Sequence, residues 1–168
     1  MVLVRKTTAK SKDGSAVSVV LTNAEHLLLT SLPEVLRDLL MDPNRSPKII
    51  GRLFPRAFED PREEEEHRRL IRESMLHERL ELLDLFAGSL ARTRAKLLRR
   101  EVDLTLSEVD LWLHVINDYR LLLATLLDVR SNDWFKTPPK SEEEAVHYRL
   151  LVVLSHIEEE LIAGVSAG

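Results

Sequence analysis

Cysteine is absent from the 168 residues, which excludes disulfides, thiolate metal sites and thiol-based redox sensing within the chain. Glycine is scarce, at five residues, and none forms a phosphate-cradling loop or a Gly-x-Ser-x-Gly nucleophile elbow, although Ser89 follows Gly88. No stretch approaches the roughly 18 uninterrupted apolar residues of a spanning helix. The opening residues MVLVRKTT contain no apolar region of signal-peptide length, so a cytoplasmic chain is expected, without membrane association. Nor is there an excess of positive charge. With 24 Lys and Arg against 28 Asp and Glu the net charge is -4, which does not suggest a general nucleic-acid coat and leaves room for a local basic patch.

What is present is apolar patterning: 44% hydrophobic and 31% charged residues describe a globular chain of one domain, residues 1–168, long enough to bury a core without staples. Residues 2–9 and 16–22 are rich in Val, Thr and Ser around an Asp13-Gly14 turn signal, which predicts an N-terminal hairpin appended, as residues 1–22, to a helical bundle over 23–168. Thr22 and Glu25 form a capping box that opens a first helix over about 23–41, with Pro33 predicting a kink or a late start. Residues 42–61, with Pro43, Pro47, Gly51, Pro55 and Pro61, are expected to be an irregular connection plugged into the core by Leu53, Phe54 and Phe58. Asp60 and Pro61 then cap and start a long helix reaching as far as Arg100, on a stripe that includes Leu70, Met75, Leu83, Phe86, Leu90 and Leu97, with Gly88 able to bend it. Residues 101–104 are expected to connect it to the next helix. Thr105 with Glu108, and Ser141 with Glu144, are further capping boxes that start a helix after residue 105 and a last one running to about 163. The expected fold is therefore mainly α, a bundle of about four helices with a small N-terminal β-hairpin.

The segment LSEVDLWLHVINDYRLLLATLLDV, residues 106–129, is apolar on nearly every side and is expected to be the central helix. Its polar residues, among them Asp110, His114, Asn117 and Asp118, share one arc of roughly 100°. Arg120 falls instead in line with Val109, Leu113, Ile116 and Ala124, inside the packed side. A buried guanidinium must be paired, and Asn117, Glu78, Glu81 or Asp84 could satisfy it; the alternative is that Arg120 lines an interface or a ligand pocket. Trp134 and Phe135 beyond this helix are expected to form a lid over the end of the bundle or, alternatively, an exposed docking site.

Three groups of residues invite chemistry. Glu64 with His67 and Glu144 with His147 repeat the Glu-x-x-His spacing of ferritin-like di-metal sites, but both pairs fall in first helical turns, where acids complement the helix dipole and are solvated. Asp110 and His114, four apart on the polar arc, could share an ion, with a hydrogen-bonded surface pair the plainer reading. Arg92, Arg94, Lys96, Arg99 and Arg100 put five cations in nine residues with no acid between them. They could contact phosphates with salt-dependent affinity, or form a basic last turn that complements its helix dipole. No cofactor is expected from any of these.

LFPRAFEDP at 53–61, EHRRL at 66–70 and WLHVINDYRLLLATLLDV at 112–129, with the LTNAE that opens the first helix, resemble the AosR-like bacterial family, mainly actinobacterial and catalogued as a domain of unknown function. The match is most specific at Trp112, Asn117, Asp118, Arg120 and Leu121. The resemblance implies a regulatory or accessory protein, since members are often encoded near the proteolytic adaptor ClpS and some are described as oxidative-stress transcriptional regulators. A thiol switch is excluded here, so what the resemblance implies reduces to binding a partner. The expectation is a non-enzymatic, cytoplasmic, homodimeric interaction protein, with Trp112, Asn117, Asp118 and Arg120 as a structural or interaction cluster and another protein as partner. The alternatives are a DNA-contacting regulator acting through residues 92–100, and a metal-dependent enzyme using Glu64, His67, Glu144 and His147.

Overall fold

A computed structural model describes residues 1–6, 17–131, 134–136 and 138–166; the Asp13-Gly14 turn signal and Asn132 lie outside them. Strands β1 (Leu3–Lys6) and β2 (Val17–Thr22) lead directly into helix α1 (Asn23–Met41). Thr22 caps it as expected: its hydroxyl accepts from the Glu25 amide, and the Glu25 carboxylate accepts from the Thr22 amide at 2.8 Å. Pro33 sits within α1 without delaying its start.

Several expectations are corrected between residues 42 and 104. The proline-rich connection contains a short helix α2 (Pro47–Leu53), because Pro47 stands at the first helical position, where its missing N–H costs nothing. Leu53 is buried and Phe54 half-buried, but Phe58 is exposed, its ring T-shaped against His67. Helix α3 (Pro61–Ala91), capped by Asp60, runs unbroken through Gly88 but stops nine residues short of Arg100. Beyond it lie strands β3 (Arg94–Lys96) and β4 (Arg99–Leu104), so the basic stretch is a β-hairpin and not a last helical turn. Leu70 and Leu97, placed on the core stripe by periodicity, are exposed.

β4 pairs antiparallel with β2 from Val17↔Leu104 to Thr22↔Arg99, giving a four-stranded sheet in the order β1-β2-β4-β3. The N-terminal strands are therefore half of a sheet and not an appendage. Val17, Val19, Leu21, Val102 and Leu104 all point inward and join one continuous core with the helices. The β3–β4 turn is only Leu97 and Leu98, since Lys96 pairs with Arg99. Leu97 has φ of 55°, at the first turn position where a hairpin of this length favours glycine. A side chain in that left-handed region costs roughly 1–2 kcal/mol.

Helix α4 (Leu106–Leu126) is the centre of the molecule and packs against α1, α2, α3, α5 and β4. Its Thr105–Glu108 capping box is present, and it ends in a Schellman motif: the Val129 amide reaches the Ala124 carbonyl, and the Asp128 amide reaches that of Thr125. Asp128 occupies the left-handed position, φ 50°, that glycine usually fills. Helix α5 (Glu142–Ser166) lies beside α4 and against β1, where Gly164 permits an approach that a Cβ would block by colliding with Val4. Its cap departs from the expected box, because Glu144 accepts from the Lys140 amide, one residue before Ser141. Phe135, in a 3-10 turn, is exposed, and its carbonyl accepts from the Tyr148 hydroxyl of α5; the side chain of Trp134 lies outside the described residues.

Candidate functional site

The four residues Trp112, Asn117, Asp118 and Arg120 do not meet. α4 distributes them around its circumference, because positions one, two, five or six residues apart diverge by roughly 100° or more on a helix. Trp112 is fully buried against Phe86, and its indole N–H donates to Ser89 Oγ at 2.7 Å. Asp118 was expected on the polar arc but is buried, paired with Arg79 of α3. Burial raises its carboxyl above the ordinary aspartate value, opposed by Arg79 and His114. Arg120 points to α5, where Nε donates to Ser155 Oγ at 3.1 Å and a terminal nitrogen pairs with Glu158. It is half-buried, and neither Asn117 nor any α3 carboxylate is its partner. Asn117 is exposed.

The segment around LFPRAF is held by two further arginines. Arg79 donates to the Leu53 carbonyl at 3.3 Å and lies 5.5 Å from the Phe54 ring centre, so one guanidinium ties α2 and α3 to Asp118 of α4. Glu64 accepts from the amides of Ala57 and Phe58 and from Arg68 Nε, while Arg68 also donates to the Phe54 carbonyl. Arg68, followed by those amides, pulls the Glu64 carboxyl down to about 2 against the attenuating effect of burial. Glu64 thus folds the loop before α3. His67 lies against Phe58, Glu144 caps α5 with His147 one turn further along that helix, and the two Glu-x-x-His pairs are not brought together. Among the described residues no group of three or more His, Asp or Glu could hold a metal ion.

The basic hairpin is largely neutralised by its own neighbours. Arg92 pairs with Glu108 at 2.6 Å, Arg94 with Asp103 at 2.6 Å and Lys96 with Glu101 at 2.9 Å, while Arg100 donates to Asn23. Glu101 and Asp103 follow the cations in sequence, but the hairpin register, with Arg94 opposite Glu101, is what lets Arg94 and Lys96 reach diagonally to Asp103 and Glu101. The exposed Leu97 and Leu98 at its tip are 102% and 83% accessible.

An open groove of about 710 Å3 lies between α3 and α4. Leu82, Leu85 and Leu111 give it an apolar floor, and Ser89 lies beneath them with Trp112 behind it. Asp84, Glu108 and Asp110 stand along the walls against Arg92 as the one cation. A second concavity of about 360 Å3, lined by Asp110, Leu113, His114 and Asn117, shares two of these residues and extends the groove along α4. Asp84 is paired with Arg37 and Glu108 with Arg92, whereas Asp110 is in no ion pair among the described residues. Asp110, His114 and Asn117, the expected polar arc of α4, are therefore its solvent face and one wall of this groove. The groove escaped sequence reading because its floor depends on how α3 lies on α4.

A protein-family model described as a domain of unknown function, DUF2017, matches residues 6–165 of the chain. No curated protein and no solved structure matches it.

Proposed function

The chain belongs to the DUF2017 family, a domain of unknown function, and from that premise we propose that it is a non-enzymatic cytoplasmic regulatory protein that works by protein–protein contact through the α3–α4 groove. The observation that carries this reading is the chemistry of the groove, an open apolar floor of leucines beside three carboxylates, of which Asp84 and Glu108 are paired with Arg37 and Arg92 and Asp110 is left to meet a cation. That composition suits a basic segment bearing leucines, whose side chains enter the floor while its cations meet the rim. The buried and half-buried polar groups Arg79, Asp118, Glu64 and Arg120 are each engaged in joining one segment to another, which supports a binding role over a chemical one. The resemblance to AosR-like regulators supplies the regulatory part of the proposal. With no cysteine in the chain, such regulation would run through contact and not through a thiol. The reading as a DNA-contacting regulator is the weaker one, because three of the five cations in residues 92–100 already face carboxylates.

Titration of the full chain with a synthetic peptide carrying a Leu-Leu pair between arginines tests the proposal. Resonances of Leu85, Leu111 and His114 should shift, with an affinity that falls as salt rises, and a peptide with glutamates in place of the arginines should leave them unmoved. Absence of any shift at millimolar basic peptide would overturn it.

A further inference from the structure

We propose that the occupant of the α3–α4 groove is the β3–β4 hairpin tip of a second copy of this chain, each copy inserting Leu97 and Leu98 into the groove of the other. The inference rests on the docking reading of the groove and names what docks there. Leu97 and Leu98 are 102% and 83% exposed, so their own fold gives them no cover. The turn is moreover built against local preference, with a leucine at φ 55° where glycine fits without strain. A local rule broken with no compensating contact inside the molecule points to a contact outside it. The tip is apolar and flanked by Arg99 and by Lys96, which is paired with Glu101 of its own hairpin. The groove is apolar and flanked by Asp84 and Glu108, each paired with an arginine, and by Asp110, which is outside any ion pair among the described residues, so Arg99 and Asp110 are the charges left to meet across the contact.

Placement supports exchange between two copies. Arg92 and Ser107 line the groove and bracket the hairpin in sequence, so the hairpin springs from the edge of the groove and carries its tip away from it, toward a second copy. A self-complementary patch of this kind closes into a two-fold dimer in which each tip and each groove is used once.

Analytical ultracentrifugation of the full chain at tens of micromolar provides the test, with two variants. Leu97→Ser combined with Leu98→Ser removes the tip, and Leu85→Glu, at a position 55% exposed and so tolerant of the change, spoils the groove. The wild-type chain should be a dimer, and each variant alone should be a monomer with its self-affinity weakened more than about tenfold. An equal mixture of the two should recover a heterodimer, because the Leu85→Glu chain still offers a tip to the intact groove of the other. If Leu85→Glu does not fold, Asp110→Arg takes its place as the groove variant. A monomeric wild type, a dimer that survives both changes, or a mixture that does not associate would each overturn the proposal. The Leu97→Ser, Leu98→Ser chain also separates this inference from the reading beneath it. If the basic peptide binds its open groove while the wild type is monomeric, docking stands and self-recognition falls; if the peptide does not bind there, the docking reading falls too.

Discussion

Replacing Ser89 with alanine should destabilise the protein far more than the loss of one hydroxyl suggests. Ser89 Oγ accepts from Trp112 Nε1 at 2.7 Å and donates to the Phe86 carbonyl at 2.7 Å, and both Ser89 and Trp112 are buried, at 1% and 0% exposure. Alanine leaves the indole N–H facing a methyl group. An unsatisfied buried donor costs about 1–3 kcal/mol, whereas the Phe86 carbonyl keeps its helical partner and contributes little to the difference. The expected loss is therefore about 2 kcal/mol. For a chain of this size that corresponds to a fall of about 4–8 °C in Tm. Urea denaturation followed by circular dichroism measures it, and a double-mutant cycle identifies its origin. In a Trp112→Phe background there is no indole N–H to strand, so Ser89→Ala should cost less than about 0.5 kcal/mol. An equal cost in both backgrounds would refute the hydrogen bond as the cause.

Arg79→Ala should cost about 2–3 kcal/mol near pH 7.5, since it strands a buried carboxylate, and less near pH 5. Burial already raises the Asp118 carboxyl, so the folded variant takes up a proton more readily than the unfolded chain and is favoured as pH falls; denaturant melts at the two pH values check the sign. Glu64 behaves oppositely: with its carboxyl lowered from 4.5 to about 2, its support of the loop is complete above the ordinary value and is lost as pH falls toward 2. Exchange protection of the Ala57 and Phe58 amides should follow that course in the wild type and be flat with pH in Glu64→Gln. Arg120→Ala should cost about 1 kcal/mol, because the pair it breaks has side chains 29% and 19% exposed; a loss above about 3 kcal/mol by the same melts would contradict it. Asp128→Gly should stabilise by about 0.5–1 kcal/mol in the same melts, because it relieves a left-handed backbone at the end of α4 and gives up only an exposed pair with Arg130.

The caps at Thr22, Asp60 and Thr105 were legible because each is closed by residues three apart or fewer, and so were the spans of α1 and the start of α4. Partnerships between elements were not. Periodicity says that Arg120 points into the packed side of α4, but only the placement of α5 makes Glu158 its partner and not Glu78, Glu81 or Asp84. The β3–β4 hairpin was hidden for a different reason. Val102 and Leu104 alternate with polar residues as a strand should, but a Leu-Leu turn carries none of the glycine, asparagine or aspartate that marks a reversal, and the cations before it read as the end of a helix. The candidate groove inherits both difficulties, being a surface between two helices with the base of that unsignalled hairpin at its edge.

The strand order also sets a timetable. Ser18 of β2 bonds Glu101 of β4 across 83 positions, and the helices α1, α2 and α3 lie between. At a synthesis rate of about 5–20 residues per second, β2 waits about 4–17 s on the ribosome before β4 has been made. During that interval Val17, Val19 and Leu21 have no neighbouring strand on that side. The nascent chain is then most open to capture by a chaperone, or to pairing with another nascent copy, and a slowly translated stretch within α3 would lengthen the exposure.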